Sequence, residues 1–382
     1  MYGMDAVNTS HVTPLENKRL STVYRKRLQR AMKFFLDWTI FMNLVAPSGI
    51  DPDYVSILLV QFIQWCYDNA VNIWIPKHAV LAYRNFVPGL RQALHRPWDA
   101  LRSWKALLPL SHRVPLPEIV LRATFGFMLD YALSYPGGGL RWIAGAILFR
   151  LAFFGLLRPS EFSQLKACDI QVASPVGSSK VILVAIRDPK NRNAMGRAQF
   201  VCVREPGLVA WLEWLVSGLP SNCKLWPGSH SQLVAFWKEV IAGLGLGNIN
   251  FTLGSFRPGG TTYYYICGKE IAYIKHLGRW ASESSMACYV QESMAALVWS
   301  KVEPSVEISL IDWVEASGFV WSAPPTVPWQ KVFSRSRQLS SIRQSMTKPL
   351  KFKNSRLASK KLASSRLPAQ HLVMAPFSSQ TP

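Results

Sequence analysis

At 382 residues the chain has room for two domains, each burying its own core. Hydrophobic residues make up 49% of it and Trp occurs 15 times, which excludes a chain disordered throughout. The formal net charge of +21 points to a polyanionic partner, the bland alternatives being solubility or a basic tail alone.

Six cysteines (Cys66, Cys168, Cys202, Cys223, Cys267, Cys288) are scattered with no Cys-x-x-Cys pair. That usage argues against a disulfide framework or a cysteine-built zinc site, and for a reducing compartment. The most apolar run, Leu140 to Leu157, is broken by Arg141 and Arg150. A bilayer span needs about 20 residues with few charges. The run therefore reads as a buried core helix of a soluble protein, with no membrane partner and no signal peptide.

Residues 1–20 are polar and aperiodic, a loose end. From Ser21 to about Leu110 the pattern predicts four helices, Tyr24–Val45, Pro52–Ala70, Pro76–Leu94 and Trp98–Leu108. They are broken by Pro47-Ser48-Gly49, by Asn72 and by Arg96-Pro97. The first turns Leu28, Met32, Phe35 and Trp38 toward a core and Arg25, Lys26, Arg27, Arg30 and Lys33 outward. A basic helix face is either solvated or a phosphate contact, and in a chain this basic Arg25, Lys26 and Arg30 are candidate DNA contacts. A helical domain over 21–113 ends at Pro115-Leu116-Pro117, with Ser111-His112-Arg113 as a polar hinge.

The second domain, 114–305, opens with a helix over Glu118–Ser134, a turn at Pro136-Gly137-Gly138-Gly139 and the buried helix, which ends at Arg158. Lys180–Ile186 and Ala198–Val203 are β-branched runs that predict an antiparallel hairpin. Its connection, RDPKNRNAMGR, carries Lys190 among Arg187, Arg192 and Arg197, three further candidate DNA contacts. Pro206–Leu219 and Ser231–Leu244 read as amphipathic helices that bury Trp211, Trp214 and Trp237. An extension over 306–330 includes a short helix at Glu307–Ala316. In the tail, 331–382, eleven Lys and Arg occur with no Asp or Glu. That composition predicts disorder and electrostatic binding to DNA or an import receptor, or else a plain flexible overhang. The fold class is mainly α (α+β), a small antiparallel sheet among helices.

The stretch from Leu253 to Tyr289, LGSFRPGGTTYYYICGKEIAYIKHLGRWASESSMACY, organises the rest. Arg257-Pro258-Gly259 opens one helix, which Gly268 closes in the left-handed position. Ile271, Ile274 and Leu277 recur at helical spacing in a second, which Gly278 stops. A further short helix carries Tyr289. A tyrosine hydroxyl has an unperturbed pKa of about 10 and needs nearby positive charge to act as a nucleophile. A phosphodiester under attack builds negative charge on its non-bridging oxygens, which forked guanidinium donors hold well. Arg158, in FFGLLRPSEF, is the second arginine this chemistry asks for.

Arg158 with Glu161, then Arg257, then Leu277-Gly278-Arg279-Trp280, then Tyr289 nine positions after Trp280, resemble the boxes of the tyrosine recombinase (phage integrase) family. The resemblance spans roughly residues 20 to 300 and carries an expectation for each box. It implies a helical core-binding domain followed by a catalytic domain. Arg158 and Arg257 would clamp the scissile phosphate, with Glu161 holding Arg158. Lys190 would protonate the leaving oxygen, and Trp280 would donate its indole N–H while buttressing the tyrosine. Tyr289 would form a 3′-phosphotyrosyl link to double-stranded DNA, on which four copies of the chain assemble. No cofactor or metal is implied. Each residue also has a plainer reading: a surface ion pair for Arg158, a solvated loop cation for Lys190, a core indole for Trp280.

The chain departs from the family at Gly254, where the His of the His-x-x-Arg box would stand; His276, four residues before Trp280, is the nearest imidazole in sequence. Tyr263, Tyr264 and Tyr265, inside the first helix, read as packing residues rather than rival nucleophiles. The implied protein is a recombinase, integrase or transposase of a mobile element, nuclear in a eukaryote and otherwise a DNA-associated cytoplasmic protein. The alternatives are a non-cleaving DNA-binding descendant and a helical scaffold with a basic tail.

Overall fold

In the computed structural model the described residues are 20–45, 51–90, 92–108, 113–134, 139–174, 179–189, 196 and 198–326. The first nineteen residues, Pro47-Ser48-Gly49, Pro136-Gly137-Gly138, Lys190, Arg192, Arg197 and the tail 331–382 lie outside them. The chain divides into two compact units, Met1–His112 and Arg113–Pro382.

In the first unit Ser21 accepts the backbone N–H of Tyr24 and so starts α1 (Thr22–Phe41). Asp51 caps α2 (Pro52–Asp68), whose Pro52 stands where a missing N–H costs nothing. α3 (Trp74–Phe86) stops short of the expected Leu94, because Pro88 disfavours a helical Val87. α4 (His95–Leu107) starts earlier than expected. Arg96-Pro97 falls in its opening turn, where Pro is tolerated, and is no break. Phe35 meets Phe62 and Tyr83 edge-on and stacks on Trp38 in the core of this unit.

The second unit is built on α6 (Gly139–Phe154), in which every residue from Trp142 to Phe154 is buried. α5 (Glu118–Ser134) lies along it, and a one-turn α7 (Pro159–Phe162) follows. The sheet has three antiparallel strands, not the two expected: β1 (Ile170–Ala173), β2 (Val181–Ile186) and β3 (Gln199–Val203). β2 is central, with Val184 opposite Ile170 on one side and Val201 on the other. β1, only four residues long, has too little alternation to be read from sequence. α8 (Pro206–Val216) and α9 (His230–Gly243) follow, the latter capped by Ser229. Next come α10 (Phe256–Ile266), α11 (Ile271–Gly278), α12 (Glu283–Ala287) and α13 (Glu292–Trp299).

The last helix, α14 (Pro304–Ser322), is longer than expected and folds back on α5 and α8 of its own chain. A Cβ at Gly126 of α5 would lie 2.5 Å from the Trp313 carbonyl, so only Gly admits α14 at this distance. Its end is fixed by a buried cation. Arg150 donates to the Trp321 carbonyl (3.0 Å) and to Glu205 (2.8 Å) and lies 3.6 Å from the Trp321 ring centroid. Trp211 Nε1 donates to the Val320 carbonyl at 2.7 Å. Burial lowers the Arg150 pKa to about 10, against the pull of Glu205. Trp321→Ala should therefore cost about 3 to 5 kcal/mol, with a matching fall of the denaturant midpoint.

Candidate active site

Arg158 lies just past α6, in extended backbone, and Pro159 makes the following turn start cleanly. Glu161, one turn on, accepts the Arg158 backbone N–H at 2.8 Å and its Nη1 at 2.7 Å. The expected pairing of these two residues is present. The same carboxylate, 1% exposed, also accepts Nη2 of Arg279 at 2.6 Å. The sequence places Arg279 inside the Leu277-Gly278-Arg279-Trp280 box without giving it a role of its own. It is buried, and in the left-handed conformation (φ 56°, ψ 47°) it, not Gly278, closes α11. Gly278 serves packing instead, since a Cβ there would fall inside the Trp280 ring, 1.6 Å from one of its carbons.

Arg257, in the first turn of α10, is 3% exposed. Its Nη1 donates to the Leu156 carbonyl at 2.7 Å and its Nη2 to the Gly278 carbonyl. Gly260 on the same helix allows this approach, because a Cβ there would lie 2.2 Å from the Phe153 carbonyl. The Arg257 guanidinium sits 4.1 Å from the Trp280 ring centroid and 5.4 Å from that of Tyr289. The two rings are themselves 5.2 Å apart. Burial first, then Arg158 and Arg279, lower the Arg257 pKa to about 9, and Glu161 and Tyr289 oppose that. Burial likewise lowers that of Arg279. Among the described residues, the Arg257 Nε–H is buried without a hydrogen-bond partner.

Tyr289 is half-buried and sits two residues beyond α12, not on it. The helix ends early, and a turn closed by Tyr289 N–H on the Met286 carbonyl (2.8 Å) carries the phenol. Thr262 of α10 holds that turn: its hydroxyl donates to the Tyr289 carbonyl (3.3 Å) and accepts the Gln291 N–H (3.0 Å). Of the rival tyrosines, Tyr264 donates its hydroxyl to the Phe154 carbonyl at 2.9 Å and burial raises its pKa. Burial pushes that of Tyr263 up to about 12. Neither suits a nucleophile. His276 is exposed on α11.

Arg158, Glu161, Arg257, Trp280 and Tyr289 thus come together, joined by Arg279. Lys190, Arg192 and Arg197 lie outside the described residues. Arg187, at the end of β2, pairs with Asp169 and meets Cys168 Sγ at 3.2 Å. With Ser160, Glu161, Lys166 and His230 it borders a cleft of about 800 Å³. In the first unit Lys26, Arg27 and Arg30 of α1 and Trp74 and His78 of α3 line a separate cleft of about 550 Å³, and Arg25 is half-buried. Three guanidinium groups against one carboxylate leave the cluster with two net positive charges, which favours a nearby anion.

No family model and no curated protein matches the chain. Among solved structures it is similar to XerH site-specific recombinase bound to difH substrate in a pre-cleavage complex (TM-score 0.40, 16% identity, 64% of this chain and 69% of that one). It is also similar to XerA recombinase (0.36, 15%, 76% and 95%). A third likeness is to a lambda integrase(75–356) dimer bound to a COC′ core site (0.48, 11%, 73% and 92%). Likenesses this distant assign no residue, and the site stands on its own geometry. Removing its carboxylate should expose how far that geometry depends on it. Glu161→Gln is expected to lose about 3 kcal/mol of unfolding free energy in urea, since it leaves buried guanidinium groups without their counter-charge.

Proposed function

We propose that this chain breaks and rejoins DNA strands as a tyrosine recombinase. The observation that carries the reading is the packing of Tyr289 beside the Arg257 guanidinium, with Arg158 and Arg279 acting on the same group. In this reading the Tyr289 oxygen attacks a phosphorus of double-stranded DNA and its proton passes to solvent. Arg158 and Arg257 hold the non-bridging oxygens as charge builds on them. Trp280 keeps the phenol and the guanidinium in register, and Glu161 and Arg279 fix Arg158. Lys190 gives its proton to the leaving 5′ oxygen. The product is a 3′-phosphotyrosyl link, and attack by a 5′ hydroxyl reverses it. One ester is exchanged for another, so no external energy source is needed. Exchange between two duplexes takes four such cleavages, hence four copies on DNA. Arg25, Lys26, Arg30, Arg187, Arg192 and Arg197 supply backbone contacts away from the chemistry.

One observation favours a second reading, a DNA-binding protein that does not cleave: both terminal nitrogens of Arg257 already donate to backbone carbonyls. A duplex nicked next to the cleavage position separates the two readings, because the short leaving strand diffuses away and traps the covalent complex. The wild type should give a protein–DNA adduct stable to denaturant. Tyr289→Phe should abolish it with DNA binding intact, Tyr264→Phe should keep it, and Arg158→Ala should slow it by about 100-fold or more. A wild type that binds DNA and yields no adduct would establish the second reading.

A further inference from the structure

Gly254 stands three residues before Arg257, in the 3₁₀ turn Leu253–Ser255 that leads into α10. A Cβ built on it would lie 2.6 Å from Nη1 of Arg113 and 2.9 Å from its Cδ and Cζ. The Arg113 guanidinium therefore lies against the bare α-carbon, in the space a side chain at 254 would take. Arg113 is exposed, and among the described residues no hydrogen bond or ion pair engages it. It lines a cleft of about 790 Å³ with Gly254, Pro159 and His230. Pro159 is bonded to Arg158, and His230 also borders the cleft beside Glu161. The two hollows thus share His230 as a common wall, and Arg113 lines the one on the side of Gly254.

We propose that Arg113 contacts a backbone phosphate of the DNA strand held at this site, with Gly254 providing the room for its guanidinium. This deepens the strand-cleavage reading by naming a residue, at the start of the second unit, that grips the substrate. A guanidinium with unused forked donors suits a phosphate better than a neutral group. A side chain at position 254 would displace it. Only the flexible end of Arg113 need move, so such a substitution leaves the fold intact.

The test measures affinity of the full chain for a short duplex across a salt series, for the wild type, Arg113→Ala, Arg113→Lys and Gly254→Ala, together with adduct formation on the nicked duplex. Removing one cation from a phosphate lowers the slope of log affinity against log salt by about one. Arg113→Ala should show that decrease and Arg113→Lys should not. Gly254→Ala should shift the slope in the same direction although it changes no charge, because it pushes the guanidinium aside. A wild-type slope in either Arg113→Ala or Gly254→Ala overturns the proposal. Its failure is distinct from failure of the cleavage reading. Adduct formation with unchanged slopes removes Arg113 and keeps the enzyme; reduced slopes with no wild-type adduct keep the phosphate contact and remove the enzyme.

Discussion

The Glu161 carboxylate is the interaction on which the site depends. It takes a backbone N–H and one guanidinium from Arg158 and a second guanidinium from Arg279, 118 positions further on. A buried cation without a partner is costly, and the cost is met only where the pairing geometry is good. Here one carboxylate serves the turn after α6 and the end of α11 at once, and so fixes the two segments to each other. It does not balance the charges acting on Arg257, where two arginines are set against it. The surplus explains why burial and like charge lower the Arg257 pKa, and it is the kind of imbalance that a bound phosphate corrects.

The fold around this carboxylate is a means of bringing distant segments together. α6 is buried along its length, so its end is a fixed point, and Arg158 follows that end directly. α10 approaches it through Gly260 and delivers Arg257 from one side and Thr262 from the other. Thr262 then holds the turn that carries Tyr289, so one helix positions both the cation and the phenol. α14 plays no part in this contact, but it covers α5 and caps Arg150, keeping α6 dry.

How much of this is legible follows from where the information lies. Arg158, Glu161, Arg257, Trp280 and Tyr289 stand in local patterns, an arginine before Pro at a helix end or a tyrosine at fixed spacing from an indole, and such patterns survive in a single sequence. Arg279 stands in a quoted box, but its pairing with Glu161 is not legible, because its position depends on a left-handed backbone that no rule assigns to an arginine. The sequence pattern puts Tyr289 on a helix because Ser285, Met286 and Ala287 continue a helical run, and the turn at Cys288 is set by the Thr262 contact, 27 positions away. The same holds for α14, whose partners on α5 and α8 are distant in the chain, and whose own sequence marks it as nothing more than a short amphipathic piece. Arg113 reads as hinge, since nothing near it in sequence names Gly254.

The placement of Arg257 has a further physical basis. Among the described residues four non-glycine positions have left-handed backbone, Asn43, Ala70, Leu156 and Arg279, and the last two flank this one guanidinium. Leu156 (φ 48°) presents the carbonyl that accepts Nη1, and Arg279 (φ 56°) follows the carbonyl of Gly278 that accepts Nη2. Each such residue costs on the order of 1 to 2 kcal/mol, and strain of that size persists only where surrounding contacts over-determine it. Both strained turns aim a carbonyl at the same cation, so the Arg257 side chain and the two turns hold one another in place. Arg257 cannot then drift to a free rotamer when no anion is bound. Its guanidinium is thus held in one orientation by the fold itself.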